Sequence, residues 1–194
     1  MNVYDFDKTI YAGDSTKDFF LFCLKRYPKI AIVLPGFTFN AFLYILNNTF
    51  GKNAGKASKE KMKESFFRFL RYLPDTLREV ELFWEKNIKK VYGWYLNQKQ
   101  EDDVIISASP EFLLEPICKT LGVALIASLN DARDGTFTGL NCYGEEKVHR
   151  FRKLYPLGII EAFYSDSQSD RPMADIAQSA FIVKNGVIEK WVLI

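Results

Sequence analysis

The feature that most constrains this chain is a change of rhythm near residue 104. From there on, strand-length apolar runs alternate with helix-length amphipathic stretches. Val104 to Ser107 and Val123 to Ala127 read as strands flanking a helix from Glu111 to Leu121, and Ile160 to Ser165 and Phe181 to Val183 flank a helix from Met173 to Gln178. A further helix is expected from Glu145 to Tyr155, and Asn185-Gly186 should close a hairpin with Val187 to Leu193. Strands that alternate with helices build a parallel sheet with both faces covered, so the fold class is α/β, a Rossmann-like parallel-sheet core. Before the change of rhythm, Asn2 to Asp5 is the one strand-like segment. Everything from Thr16 to about Gln98 is helical in pattern: Lys17 to Tyr27, Phe37 to Leu46, Lys59 to Tyr72 and Leu77 to Leu96. The expected organisation is therefore a core of residues 1–14 and 100–194, with a helical cap of residues 15–99 inserted after the first strand.

Composition narrows the chemistry. Of the 194 residues, 48% are hydrophobic and 26% charged, with a net charge of +2, so no strong field or basic-aromatic tract points to nucleic acid. Cys23, Cys118 and Cys142 are scattered and form no CxxC, which fits reduced thiols in a cytoplasm and argues against a thiolate metal site. His149 is the single histidine, too few for a histidine cage or a Ser-His-Asp triad. Carboxylates are left to carry any catalysis.

Four elements stand out at expected strand ends. Asp5 and Asp7 flank Phe6 directly after the first strand, where open α/β sheets bind ligands. Two carboxylates held together there repel unless a cation neutralises them, and magnesium prefers such oxygen ligands. One can attack phosphorus and the other can move a proton. Ser107 ends the next strand as a hydroxyl donor, with Ser109-Pro110 reading as a plain helix start. Lys147 lies in the first turn of a helix, against the dipole, which gives it a weak reason to serve an anion instead; His149 and Arg150 read as helix-surface residues. Asp166 and Asp170 follow the strand that ends at Ser165.

In this order the four elements resemble the motifs of the haloacid dehalogenase-like superfamily of phosphohydrolases, across nearly the whole chain. The resemblance implies that Asp5 is the nucleophile and Asp7 the general acid and base. It implies that Thr9 steadies the loop, that Ser107, Ala108 and Lys147 bind the phosphoryl group, that Mg2+ is held by Asp5, Asp7 and Asp166, and that Asp170 is a supporting acid. The helical insertion resembles the cap of the phosphoserine phosphatase-like branch. The sequence departs from the pattern at Lys8 and Ser165, where glycine is common in the superfamily.

The substrate is expected to be a phosphorylated small molecule or a lipid head group. Phe19, Phe20, Phe22, Phe37, Phe39, Phe42 and Tyr44 crowd the first half of the cap, either as its core or as a membrane-facing surface beside Lys25, Arg26 and Lys29. Ile30 to Gly51 is uncharged, yet Pro35, Gly36 and three asparagines interrupt it, and peripheral contact with the inner face of a membrane is expected rather than a crossing. Leu24 to Leu46 and the stretch Cys142 to Val148 are similar to bacterial phosphatidylglycerophosphatases of the C type. Asp14 matches the acid that holds the amine in phosphoserine phosphatases, or it is a helix cap in Gly13-Asp14-Ser15-Thr16. A phosphotransferase and a catalytically silent phosphate-binding or membrane-docking module are the competing classes.

Overall fold

The computed structural model describes residues 1–39 and 63–192. Among the described residues six strands form one sheet in the order β3-β2-β1-β4-β5-β6. They are β1 (Asn2–Tyr4), β2 (Val104–Pro110), β3 (Ala124–Ser128), β4 (Ile160–Ser165), β5 (Ala177–Lys184) and β6 (Val187–Lys190). Strands β1 to β5 run parallel, and β6 returns antiparallel through Asn185-Gly186, whose φ values of 51° and 81° suit a tight hairpin turn. The helices outside the turn-like 3-10 segments are α1 (Ser15–Arg26), α2 (Thr76–Asn87), α3 (Gly93–Gln98), α4 (Glu111–Leu121), α5 (Glu145–Leu154) and α6 (Arg171–Asp175). Residues 34–39 and 63–67 are helical as well.

Alternation along the strands sorts side chains to two faces. Tyr4 and Ile105 join Phe6, Phe19, Phe69, Phe83 and Trp84 in one core with α1, α2 and α4. Val3, Val104 and Ile106 face the other way, onto Phe151, Phe163, Met173 and Trp191. The helices between β1 and β2 therefore share an apolar core with one face of the sheet. Phe19 and Phe20 are buried there, at 1% and 5% exposure, which answers their role as core, while Phe39 is 62% exposed.

Three expectations are corrected. Leu77 to Leu96 is not one helix: it breaks between α2 and α3, where Val91 bridges Tyr11, Tyr92 N–H donates to the Ile10 carbonyl and Ala12 N–H to that of Lys90. The loop after Asp7 needs those partners, and pairing with it outweighs local helical pattern. The expected helix from Met173 to Gln178 starts earlier and stops at Asp175, because β5 already begins at Ala177 and pairs with β4. Arg150 is also no plain surface residue: its guanidinium donates to the carbonyls of Ala127 and Leu140 and pairs with Glu146. The segment Phe37 to Leu46 and the start of Lys59 to Tyr72 fall partly among residues 40–62, outside the described residues, as do Phe42 and Tyr44. No helix among the described residues is long and apolar enough to cross a membrane.

Candidate active site

The site grows from the carboxyl ends of β1, β2 and β4, the three central strands. Asp5 follows β1 directly, and its N–H donates to the Tyr164 carbonyl at 2.8 Å, which locks the end of β1 to β4. The residue is buried, at 8% exposure. Lys147 Nζ donates to Asp5 Oδ1 at 2.8 Å, and Thr9 Oγ1 donates to Oδ2 at 3.3 Å. Burial pushes the Asp5 carboxyl up from its ordinary range, and the Lys147 ammonium opposes that rise.

Lys147 is fully buried on α5, at 1% exposure. It also donates to Asp170 Oδ2 at 2.8 Å, and that same oxygen accepts the Ser165 hydroxyl at 2.7 Å. Burial pulls the Lys147 pKa down, but Asp5 and Asp170 more than reverse the effect, so the ammonium stays charged. Gly144 caps the start of α5 with φ 60° and ψ −127°, a backbone conformation that favours glycine.

Asp7 is held by different partners. Ser15 N–H donates to Oδ1 at 2.6 Å and the Ser109 hydroxyl to Oδ2 at 2.5 Å. Burial pushes its carboxyl up to about 6; the Asp14 charge adds to the rise and the hydrogen bonds from Ser109 and Ser15 oppose it. Thr9 joins two loops, because its Oγ1 also accepts the Asp166 N–H at 2.9 Å. Burial raises Asp166 too, while Lys8 opposes the shift. Ser107 is 1% exposed, and its hydroxyl accepts the Ser109 N–H at 3.1 Å.

The structure thus brings Asp5, Asp7, Asp14, Ser107, Ala108, Lys147, Asp166 and Asp170 to one cavity of about 750 Å3, with Thr9 buried behind Asp5. Asp14 caps α1, accepting the Lys17 N–H at 3.0 Å, and also borders the cavity. The Ala108 carbonyl accepts Lys63 Nζ and the Ser128 hydroxyl, both at 3.1 Å. Among the described residues no three His, Cys, Asp or Glu side chains are gathered as a cation site, so Asp5, Asp7 and Asp166 do not form a ready three-carboxylate cluster. The far wall of the cavity is apolar, with Phe20, Leu21, Phe37, Phe66 and Phe67.

Ser109 is the residue that sequence reasoning missed. It does not cap α4, whose N-cap is Pro110 with no side-chain bond; it grips Asp7 instead. Its place two residues after Ser107, in the segment that leaves the strand end, was the available signal. Ser165 was likewise read as a departure from pattern, yet its hydroxyl braces Asp170.

Comparison with known proteins bears on the family and the fold. The sequence profile of haloacid dehalogenase-like hydrolases matches residues 3–175. A Mycobacterium tuberculosis protein named "Probable phosphatase Rv3661" is 38% identical over 91 residues, which cover 42% of this chain and 31% of that protein, so the match spans about a third of that relative. Protein CicA of Caulobacter vibrioides is 25% identical over 191 residues, covering 90% of this chain and 81% of that one. A Bordetella pertussis protein with unknown function superposes with a TM-score of 0.67 at 22% identity, over 93% of this chain and 87% of the other. A phosphoserine phosphohydrolase-like protein from Francisella tularensis gives 0.56 at 17% identity, over 93% and 86%. At such identities the superpositions show the shared fold. With a profile match that runs from β1 through β4 to the end of α6, the chain belongs to the haloacid dehalogenase-like hydrolase family.

Proposed function

We propose that the chain is a magnesium-dependent phosphatase that hydrolyses a phosphate monoester through an aspartyl-phosphate on Asp5. The observation that carries the reading is the buried Asp5 carboxylate, set at a strand end with Lys147 at 2.8 Å and open to a cavity. Lys147 and the hydroxyl of Ser107 receive the phosphoryl oxygens, whose charge must be offset as it spreads in the transition state. Asp5 attacks in line and the ester oxygen leaves. Asp7, which burial disposes to hold a proton, donates it to that oxygen. The same carboxylate then takes a proton from the water that cleaves the acyl-phosphate. Ser109 and Ser15 hold Asp7 in place for both transfers.

The donor chemistry fits magnesium. Asp5 and Asp166 offer only hard oxygens and border the same cavity. Magnesium commonly keeps several waters and needs only one or two carboxylates beside phosphate oxygens, so a three-carboxylate cluster is not required. Asp5 and Asp166 would hold the ion, with Asp7 beside them in the same cavity. When bound, the ion would neutralise charge on the phosphate and on Asp5.

Residues 15–99 act in this reading as a cap over the core of residues 1–14 and 100–194, and they set the leaving group. The apolar wall of Phe20, Leu21, Phe37, Phe66 and Phe67 favours an ester with an apolar portion, such as a lipid phosphate, and exposed Leu21, Ile32 and Phe39 could meet an interface. The alternative is a small metabolite such as phosphoserine, with Asp14 receiving its amine; the helix-capping bond of Asp14 competes with that role. The test is turnover of phosphoserine, sugar phosphates, an aryl phosphate and phosphatidylglycerophosphate in detergent, with and without magnesium, beside Asp5→Asn. Turnover that survives in Asp5→Asn sinks the nucleophile, and the preferred ester decides between the two leaving groups.

A further inference from the structure

Among the described residues four lysines border the cavity, and they divide into two pairs. Lys147 and Lys63 are taken up by the protein: Lys147 by Asp5 and Asp170, Lys63 by the Ala108 carbonyl and by Asn141 Oδ1 at 3.0 Å. Lys8 and Lys17 are exposed at the rim, and neither ammonium forms an ion pair with a described residue.

Both rim lysines stand where local structure disfavours them. Lys8 has φ 58°, in the left-handed region where a side chain is strained and glycine is not. The turn is real: Lys8 N–H donates to the Gly13 carbonyl at 2.8 Å, closing the loop that follows Asp7. Glycine would make the same turn at lower cost, so the side chain has to contribute elsewhere. Lys17 lies in the first turn of α1, where a cation faces the positive end of the helix dipole. Lys8 lies close enough to Asp166 to act on its charge, but neither rim lysine is fixed by an ion pair to a described residue; two cations placed against local preference beside one cavity indicate an anion that arrives with the ligand.

We propose that Lys8 and Lys17 form a second anion subsite at the cavity rim, so that the substrate carries an anionic group in addition to the phosphate that is cleaved. A second phosphate and a carboxylate share the chemistry that two ammonium groups recognise. Lys147 and Ser107 hold the reacting phosphate deeper in, and the subsite selects esters with another charge toward solvent. This inference rests on the phosphate-ester reading of the site.

The test is calorimetric titration of the full chain in magnesium buffer with three non-hydrolysable ligands. Propylphosphonate has one anionic group; trimethylene bisphosphonate and phosphonopropionate each add a second, a phosphonate or a carboxylate. The wild type is expected to bind at least one of the latter two about fivefold or more tightly than propylphosphonate, the worth of one partly exposed charge pair. The one preferred identifies the second group. In Lys8→Gly, which suits the backbone, and in Lys17→Gln, that ratio should collapse toward one, and added salt should shrink it in the wild type. Equal affinity for all three ligands in the wild type overturns the subsite, as does an unchanged ratio in both variants. Failure of propylphosphonate to bind the wild type sinks the phosphate-site reading and the subsite with it.

Discussion

The ammonium of Lys147 lies 2.8 Å from Asp5 across 142 positions of sequence, and both groups are buried. The pair joins the end of β1 to the first turn of α5. It holds charge opposite the carboxylate that would attack phosphorus, which makes it a measure of both stability and function.

Removing the cation leaves Asp5 and Asp170 buried without compensation. Lys147→Met should therefore lower stability by about 3–5 kcal/mol, the cost of breaking a buried pair by taking away one partner. Urea denaturation measures this. Adding Asp170→Asn to the same chain should recover part of the loss, since one uncompensated charge goes; a double variant less stable than the single one contradicts the account.

Turnover should depend on Asp5 far more than stability does. Asp5→Asn is expected to lose at least about 10³-fold in kcat, since nucleophiles that act as part of a unit have effects of that order or larger. Circular dichroism should show the fold retained, because the amide oxygen can still accept from Lys147.

The leaving-group step should show in the pH profile. Asp7 is pushed up to about 6 and must be protonated to donate, so kcat/KM should fall as pH rises through that region. The Ser109 hydroxyl favours the charged form of Asp7 and so lowers its pKa. Its loss in Ser109→Ala should move the falling limb to higher pH and lower kcat about tenfold, as expected for a partner that positions an acid worth about 10²–10⁴. An unmoved limb would separate Ser109 from Asp7.

A chelator should abolish turnover, and magnesium should restore it. Magnesium should also raise the melting temperature of the wild type, because an ion that binds only the folded chain stabilises it by mass action. Asp166→Asn should weaken that thermal response; an undiminished response in the variant would remove Asp166 from the ion's ligands.

Gly135 tests how the helical region meets the core. It has φ 77°, and a Cβ there would collide with the Cβ of Phe67. Gly135→Ala should cost at least about 1–2 kcal/mol from the left-handed backbone alone, and more if Phe67 is displaced from the cavity wall. Thermal unfolding reads the first effect, and KM for an apolar ester reads the second.

Much of this molecule was legible in the order of its residues. Strand-length runs ending in Asp5, Ser107 and Ser165 predicted a parallel sheet with its polar ends together, since strand period and helix period are local properties of the chain. The expected strand from Ile160 to Ser165 matches β4, and the hairpin at Asn185-Gly186 follows from residues that accept positive φ. Tertiary structure decided the rest. Lys147 stood out in the sequence only by its place against the helix dipole and by resemblance, and only the packing of α5 buries it between two carboxylates. Ser109 looked like a helix cap, and only the approach of the loop after β1 gives it Asp7. The break between α2 and α3 follows from the partners that the loop at residues 10–12 requires. In each case the deciding partner is tens of residues away or more. Local pattern determines which elements form, whereas the burial and pairing of a single polar side chain depend on which distant group the fold sets beside it.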